Sequence, residues 1–126
     1  MYGIAGYSLS LASGDERTLA AQSLLAGIAE RGSDAAGYAY GSPALGIVVA
    51  ERRGGAGGLL DAVRVPSCAT QALVHVRSHT KGHPTLDRYG CGRTALEEIE
   101  GAVVTAWIDR RRPDDLFLAR GAGRPL

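Results

Sequence analysis

Cysteine and aromatic residues are scarce in this chain of 126 residues. Two cysteines, Cys68 and Cys91, cannot build the disulfide framework of a small secreted protein, so we expect a reducing, cytoplasmic location. No stretch approaches the ~20 consecutive apolar residues of a membrane-spanning helix, and the start lacks the cationic segment of a signal peptide. The formal net charge is only +1, which gives no electrostatic reason to expect a nucleic-acid or membrane partner.

Glycine, by contrast, is abundant. The chain has 18 glycines, twice the share of about 7% that is typical of proteins. They follow no collagen period and no long polar tract accompanies them, so they indicate turns and close backbone approaches rather than disorder. The length fits one domain over residues 1–126.

Alternation of apolar residues and β-forming residue types predicts the strands. The predicted strands are 2–11, a hairpin of 34–41 and 44–53 joined at 41–43, the segment 70–78, and a second hairpin of 101–111 and 115–123 that turns at 112–115. We expect residues 2–9 on an inner strand beside 101–109 or 72–77, because all three segments alternate in the same way.

The main helix is predicted in the stretch ERTLAAQSLLAGIAERG, residues 16–32. A short helix or irregular segment is expected at 59–65, and one or two helical turns at 95–100. Ser13 or Asp15 is the expected N-cap of the main helix, and Gly32 lies where a helix would stop. The apolar residues that recur at helical spacing are Leu19, Leu24, Leu25 and Ile28. A strand, a helix and then mostly antiparallel strands predict an α+β layered sandwich.

Two stretches have residue types that bind cofactors or metals, but neither has the spacing that such a site requires. The stretch GGAGG (54–58) is followed by no lysine and lacks the spacing of a phosphate-binding loop, so we expect a tight or mobile turn. His75, His79 and His83 are spaced four apart, which on a helix would line one face like a zinc site, but Gly82 and Pro84 would break that helix. On a strand, His75 and His79 would be about 13 Å apart, which is too far for one metal ion. A zinc site that adds Cys68 and Cys91 stays an alternative that the spacing does not support. We therefore predict no metal and no organic cofactor.

Two further stretches carry charged residues at predicted element ends. In ERGSDAAG (30–37), Arg31 is placed to hold a neighbouring loop, with Asp34 as a cap or partner. In HVRSHTKGHP (75–84), Arg77 leaves a strand end, where an arginine suits bidentate recognition of a carboxylate.

Together these stretches give the chain a resemblance to the glutaminase domain of class II glutamine amidotransferases, which are N-terminal nucleophile hydrolases. That family begins Cys-Gly-Ile-x-Gly, continues with His-Arg-Gly-Pro-Asp-x-x-Gly and later carries Arg-x-x-Thr-x-Gly. The positions that match, in order, are Gly3, Ile4, Gly6, Arg31, Gly32, Asp34, Gly37, Arg77, Thr80 and Gly82. The resemblance implies an αββα-type sandwich, incomplete in this chain.

The resemblance also implies roles for individual residues. Tyr2 stands at the position of the family's nucleophilic cysteine, and a phenol with its ordinary pKa of about 10 is a poor acyl acceptor. Arg77 would bind the carboxylate of glutamine, with Thr80 and Gly82 shaping that pocket. The Arg31 and Asp34 side chains would brace the loop around the start of the chain.

The family's Asn-Gly and Gly-Asp segments have no counterpart between Pro84 and Ala95. We therefore expect a degenerate or truncated domain of a family that hydrolyses glutamine to glutamate and ammonia, inactive as it stands and binding glutamine very weakly or not at all. The alternative is a protein-interaction or regulatory module on the same scaffold, with a second copy or an active relative as its partner.

Overall fold

In the computed structural model of the chain, residues 2–78 and 104–120 are described. The strands are β1 (Tyr2–Ser8), β2 (Ala35–Ser42), β3 (Gly46–Arg53), β4 (Gln71–Arg77), β5 (Val104–Asp109) and β6 (Arg112–Arg120). The helices are α1 (Arg17–Gly27) and α2 (Gly57–Leu60), and a 3-10 turn, Ala29–Arg31, follows α1. Mostly antiparallel strands in two sheets, with few helices, make this a mixed α+β fold.

The larger sheet has four antiparallel strands in the order β1-β4-β2-β3. The predicted pairing of β1 with the segment 72–77 is confirmed, in a register that runs from Tyr2 opposite Arg77 to Ser8 opposite Gln71. The expected inner position of β1 is wrong for the described sheet, in which β1 lies at an edge. The sequence of β4 is the more apolar one and is buried at most positions, so β4 takes the centre beside β2.

The first predicted hairpin is confirmed as β2 and β3, which pair along their full length. Its turn is stabilised by the hydroxyl of Ser42, which accepts the backbone N–H of Leu45 at 3.0 Å. Gly46 then opens β3 with a φ of +68°, a left-handed conformation that glycine adopts without strain. The turn therefore has the residue types that its backbone requires.

The second hairpin, β5 and β6, forms the smaller sheet, but its turn is not at 112–115 as the sequence predicted. The turn lies at Arg110 and Arg111, where the Asp109 carboxylate accepts the backbone N–H of Arg111 at 2.8 Å. Residues 113–115 instead form a bulge, because the pairing of Asp109 with Arg112 is followed by that of Ile108 with Leu116. A proline has no N–H to give to a ladder, and a bulge is one of the few places in a sheet that accept it.

The two faces of the larger sheet have different neighbours. Helices α1 and α2 cover one face with a core whose members are Ala21, Leu25, Ala36, Tyr38, Ala56, Leu59, Val63, Val65, Ala69, Val74 and Val76. The hairpin contacts the other face, where a Cβ added at Gly41 would lie 2.9 Å from the carbonyl oxygen of Pro113. Gln71 and Thr70 also donate hydrogen bonds to Asp114 in the bulge.

Helix α1 differs in three details from the sequence-based expectation. It ends at Gly27, and a 3-10 turn over Ala29–Arg31 precedes the predicted stop at Gly32. Its N-cap is Glu16, whose carboxylate accepts the N–H groups of Thr18 and Leu19, whereas Asp15 accepts a hydrogen bond from Ser13 at 2.6 Å. Leu19 is 61% exposed, because the buried face of α1 runs through Arg17, Ala21 and Leu25. Neither described helix is long and apolar enough to cross a membrane.

Arg17 is the most deeply buried charged side chain in the described part of the chain, at 3% exposure. Its guanidinium donates to the carbonyl oxygens of Ser10, Asp15 and Ala69 at 2.7, 2.8 and 3.1 Å. In addition, the Arg17 carbonyl accepts from the hydroxyl of Tyr7 at 3.2 Å, and burial raises the pKa of Tyr7 to about 12. One side chain thus connects the loop before α1, the start of α1 and the segment before β4.

We predict that Arg17→Met lowers the free energy of unfolding by about 2–3 kcal/mol, because three partly or fully buried carbonyls lose a charged donor. Urea denaturation measures the change from the shift of the midpoint at constant slope. Arg52→Met, at an exposed arginine on β3, is the control and is expected to stay within about 0.5 kcal/mol of the parent chain. Equal effects of the two substitutions would contradict the role given to Arg17.

Candidate functional site

Three segments that are distant in the sequence meet at one end of the larger sheet. They are the start of β1, residues 32–34 after α1, and the end of β4. The Cα of Arg77 is paired with Tyr2 on one side and with Ala35 on the other. The Arg77 carbonyl also accepts the backbone N–H of Asp34 at 2.8 Å. Arg77 is therefore the residue around which this end of the sheet is assembled.

Gly32 lies directly against the backbone of Arg77 at this end of the sheet. A Cβ added at Gly32 would lie 2.3 Å from the backbone nitrogen of Arg77 and 2.6 Å from its carbonyl carbon. Ser33, the next residue, donates its backbone N–H to the hydroxyl of Ser78 at 3.2 Å. The sequence suggested a helix stop at Gly32, and the structure adds a contact that only a residue without a side chain can make.

Arg31 lies next to the start of the chain. A Cβ added at Gly3 would lie 2.9 Å from Cδ of Arg31 and 3.1 Å from Cβ of Ile28. The aliphatic stem of Arg31 therefore packs against the backbone of β1, and its residue as a whole remains exposed. This position is compatible with the bracing role implied by the resemblance, which stays a prediction.

Asp34 connects the end of β4 to the glycine-rich stretch 54–58 through its backbone. Its N–H is bound to Arg77, and its carbonyl accepts the N–H of Gly54 at 2.8 Å. Gly54 begins the glycine-rich stretch 54–58 and has a φ of +103°. That stretch leads from β3 into the four-residue helix α2, so within the described structure it acts as a connection.

A contact that the sequence did not predict joins His75 to Glu51. Nε2 of His75 lies 3.4 Å from a carboxylate oxygen of Glu51, and the two side chains are 22% and 12% exposed. Burial lowers the pKa of His75 below its usual value, and the Arg77 guanidinium lowers it further. At neutral pH the contact is therefore one between a neutral imidazole and a carboxylate. Only the register of β3 and β4 against β2 could have revealed it.

Some of the remaining predicted residues lie in the described part of the chain, and the others lie outside it. His75 lies on strand β4, which confirms the strand interpretation over a helical zinc motif at that position. Within residues 2–78 and 104–120, no three His, Cys, Asp or Glu side chains are grouped as metal ligands would be. The predicted residues that lie outside the described residues are His79, Thr80, Gly82, His83 and Cys91.

Comparison of the chain with protein families, with curated proteins and with solved structures finds no match in any of the three.

We predict that Gly32→Ala destabilises the chain by about 2 kcal/mol or more, because the new methyl group would overlap the Arg77 backbone. The matched control is Gly27→Ala at the end of α1, where an added Cβ meets no atom within 4 Å. That substitution is expected to be neutral or to stabilise by up to about 1 kcal/mol through helix propensity. Thermal unfolding of both variants measures the difference in their stability. A Gly32→Ala chain that is as stable as the parent chain would refute the contact between Gly32 and the Arg77 backbone.

Proposed function

We propose that this chain is a glutaminase-type domain of the class II glutamine amidotransferase kind, which binds glutamine weakly through Arg77 and does not hydrolyse it. The observation that carries the proposal is the meeting of the three motif-bearing segments at Arg77. Positions in 3–6 and 31–37, together with Arg77, were matched to the family from the sequence alone. The alternation of apolar residues predicted that β1 would lie beside 72–77, but no sequence pattern predicted that 31–37 would lie beside Arg77. In a glutaminase they must be neighbours, because the nucleophile and the substrate carboxylate belong to one site.

The layering of the fold supports the same proposal. Two helices cover one face of the larger sheet, and the β5–β6 hairpin contacts the other face through Pro113 and Asp114. We propose that the two sheets stack as the inner layers of an αββα sandwich. In such a sandwich the ligand lies at the end of the sheets where β1 begins.

The side chains present do not supply the hydrolytic chemistry. Tyr2 offers a phenol where a thiolate would be needed, because a thiol ionises and attacks an amide far more readily near neutral pH. Cys68 cannot substitute for it, since it precedes β4 while Arg77 ends that strand, and the seven residues of β4 span about 23 Å. The whole chain contains no asparagine, so the side-chain amide that the family uses to stabilise the oxyanion is missing.

The proposed binding predicts that glutamine shifts the NMR signals of the chain and that the shifts depend on Arg77. We expect a dissociation constant in the millimolar range or weaker, which corresponds to roughly 4 kcal/mol of binding free energy or less. Titration of the isotopically labelled full chain with L-glutamine, followed by protein NMR, measures it. Arg77→Lys should weaken binding, because an ammonium cannot form the bidentate contact of a guanidinium, while Arg52→Lys should leave it unchanged. A chain that glutamine does not perturb, or binding that Arg77→Lys does not alter, would contradict the proposal.

The catalytic half predicts that Tyr2→Cys alone does not create a useful glutaminase. The substitution supplies a thiol, and removal of Met1, verified by intact mass, would supply the amine base. The oxyanion donors stay absent, and the loss of one such donor typically lowers the rate by about 10²–10³. Ammonia release should therefore remain near that of Tyr2→Ala, the matched control. Turnover of roughly 1 per second or more would show that another group stabilises the intermediate.

A further inference from the structure

Within the described part of the chain, strand β1 is paired along one edge only, with β4. Leu9 continues the same register and donates its backbone N–H to the carbonyl of Thr70 at 2.8 Å. Successive residues of an antiparallel strand direct their N–H and C=O groups to opposite sides, so the odd-numbered residues of β1 bond to β4. The N–H and C=O groups of Ile4, Gly6 and Ser8 therefore point outward, away from the described sheet.

The two outer strands of the larger sheet differ in charge. Strand β3 carries Glu51, Arg52 and Arg53, and charged side chains on an outer strand discourage pairing with another chain. Strand β1 has neither a charged residue nor a proline, and the first charged residue of the whole chain is Asp15. Ile4, in the middle of β1, is 39% exposed. The outer edge of β1 therefore has the hydrogen-bonding groups for a further strand and no charge that would repel one.

The side chains of β1 are self-complementary in size. Two copies of β1 that pair antiparallel about a two-fold axis match their outward N–H and C=O groups when the axis passes through Ala5. In that register Ile4 is opposite Gly6 of the second copy, and Tyr7 is opposite Gly3. Each large side chain therefore faces a residue without one. Moving the axis to Ile4 or Gly6 would instead place two isoleucines or two glycines opposite each other, which crowds the first pair and leaves a gap at the second.

Helix α1 also suits this pairing. It lies over β1 and β4, and Thr18 and Gln22 bind backbone groups of the segment 60–65 on its α2 side. At 3.6 residues per turn, the opposite flank of α1, toward the outer edge of β1, contains Ala20 and Ser23. Pairing of two β1 strands would place two α1 helices about 10 Å apart, close to the spacing at which helices pack, and small residues on that flank accommodate it.

We propose that the chain forms a two-fold symmetric dimer in which β1 pairs antiparallel with β1 of a second copy, with Ala5 at the axis. The larger sheet of one copy then continues into that of the other, with the helices of both copies on the same face. Main-chain hydrogen bonds supply affinity in this mode of association, and the opposed side chains supply the register. The inference uses no property of Arg77 and is independent of the proposed function.

The first test is the mass of the full chain in solution, measured by sedimentation equilibrium over a range of concentrations. We expect a dimer of about twice the 13.1 kDa of one chain. Ile4→Lys should raise the dissociation constant of the dimer about tenfold or more, because it places two ammonium groups close to the axis. The matched control is Val49→Lys, at a side chain on β3 that is 44% exposed, and it should leave the dimer unchanged.

The second test fixes the register with a disulfide, in a chain whose Cys68 and Cys91 are replaced by serine. Ala5→Cys would place two thiols on facing residues with Cα atoms about 4.5 Å apart, which a disulfide can bridge. Ser8→Cys is the control, since in the same register its two copies are about 20 Å apart. Mild oxidation should convert the first variant to a covalent dimer and leave the second without one.

The outcomes decide between this surface and others. A parent chain that stays monomeric at every concentration would overturn the proposal, as would a dimer that Val49→Lys dissociates and Ile4→Lys does not. A dimer that Ile4→Lys dissociates but that Ala5→Cys fails to cross-link, or that Ser8→Cys cross-links equally well, would overturn the pairing about Ala5.

Discussion

The backbone of Arg77 is the point on which the described site depends. Its strand pairs with β1 on one side and β2 on the other, its carbonyl accepts the N–H of Asp34, and its nitrogen and carbonyl carbon lie against Gly32. These contacts tie the start of β1 and the stretch 32–35 to the same few atoms. The position of the Arg77 backbone is therefore fixed by main-chain contacts, which are rigid support for the ligand-binding role proposed for its side chain.

The two ends of the larger sheet are stabilised by different physical means. At the end away from Arg77, the guanidinium of Arg17 is buried and each of its three nitrogens donates to a carbonyl oxygen, so we assign that charge to the fold. At the Arg77 end the ionisable groups are half-buried or exposed, and they surround a strip of small residues. A buried charge that is hydrogen-bonded to the backbone holds loops together, whereas partly accessible charges of both signs are suited to a ligand.

Glycine is abundant here for a reason that is visible at Gly32 and Gly37. The first allows a loop to touch the backbone of β4, and the second allows side chains from β3 and β4 to meet across β2. Neither position has a positive φ, so in both cases the small size of glycine, and not its backbone freedom, is what the structure uses. Composition alone indicated close approaches but not which surfaces approach each other.

The local sequence pattern by itself determined most of the elements. Alternation, helical spacing and turn residues within each segment set the first strand, the helix after it, the β2–β3 hairpin and the strand at 71–77. It also placed Arg77 at a strand end. Tertiary structure decided what depends on partners outside the segment. The turn at Arg110 and Arg111 and the edge position of β1 each follow from the register of paired strands. The His75–Glu51 contact is the clearest case, because two residues 24 positions apart became neighbours only when both strands paired with β2 in a register that puts Gly37 between them.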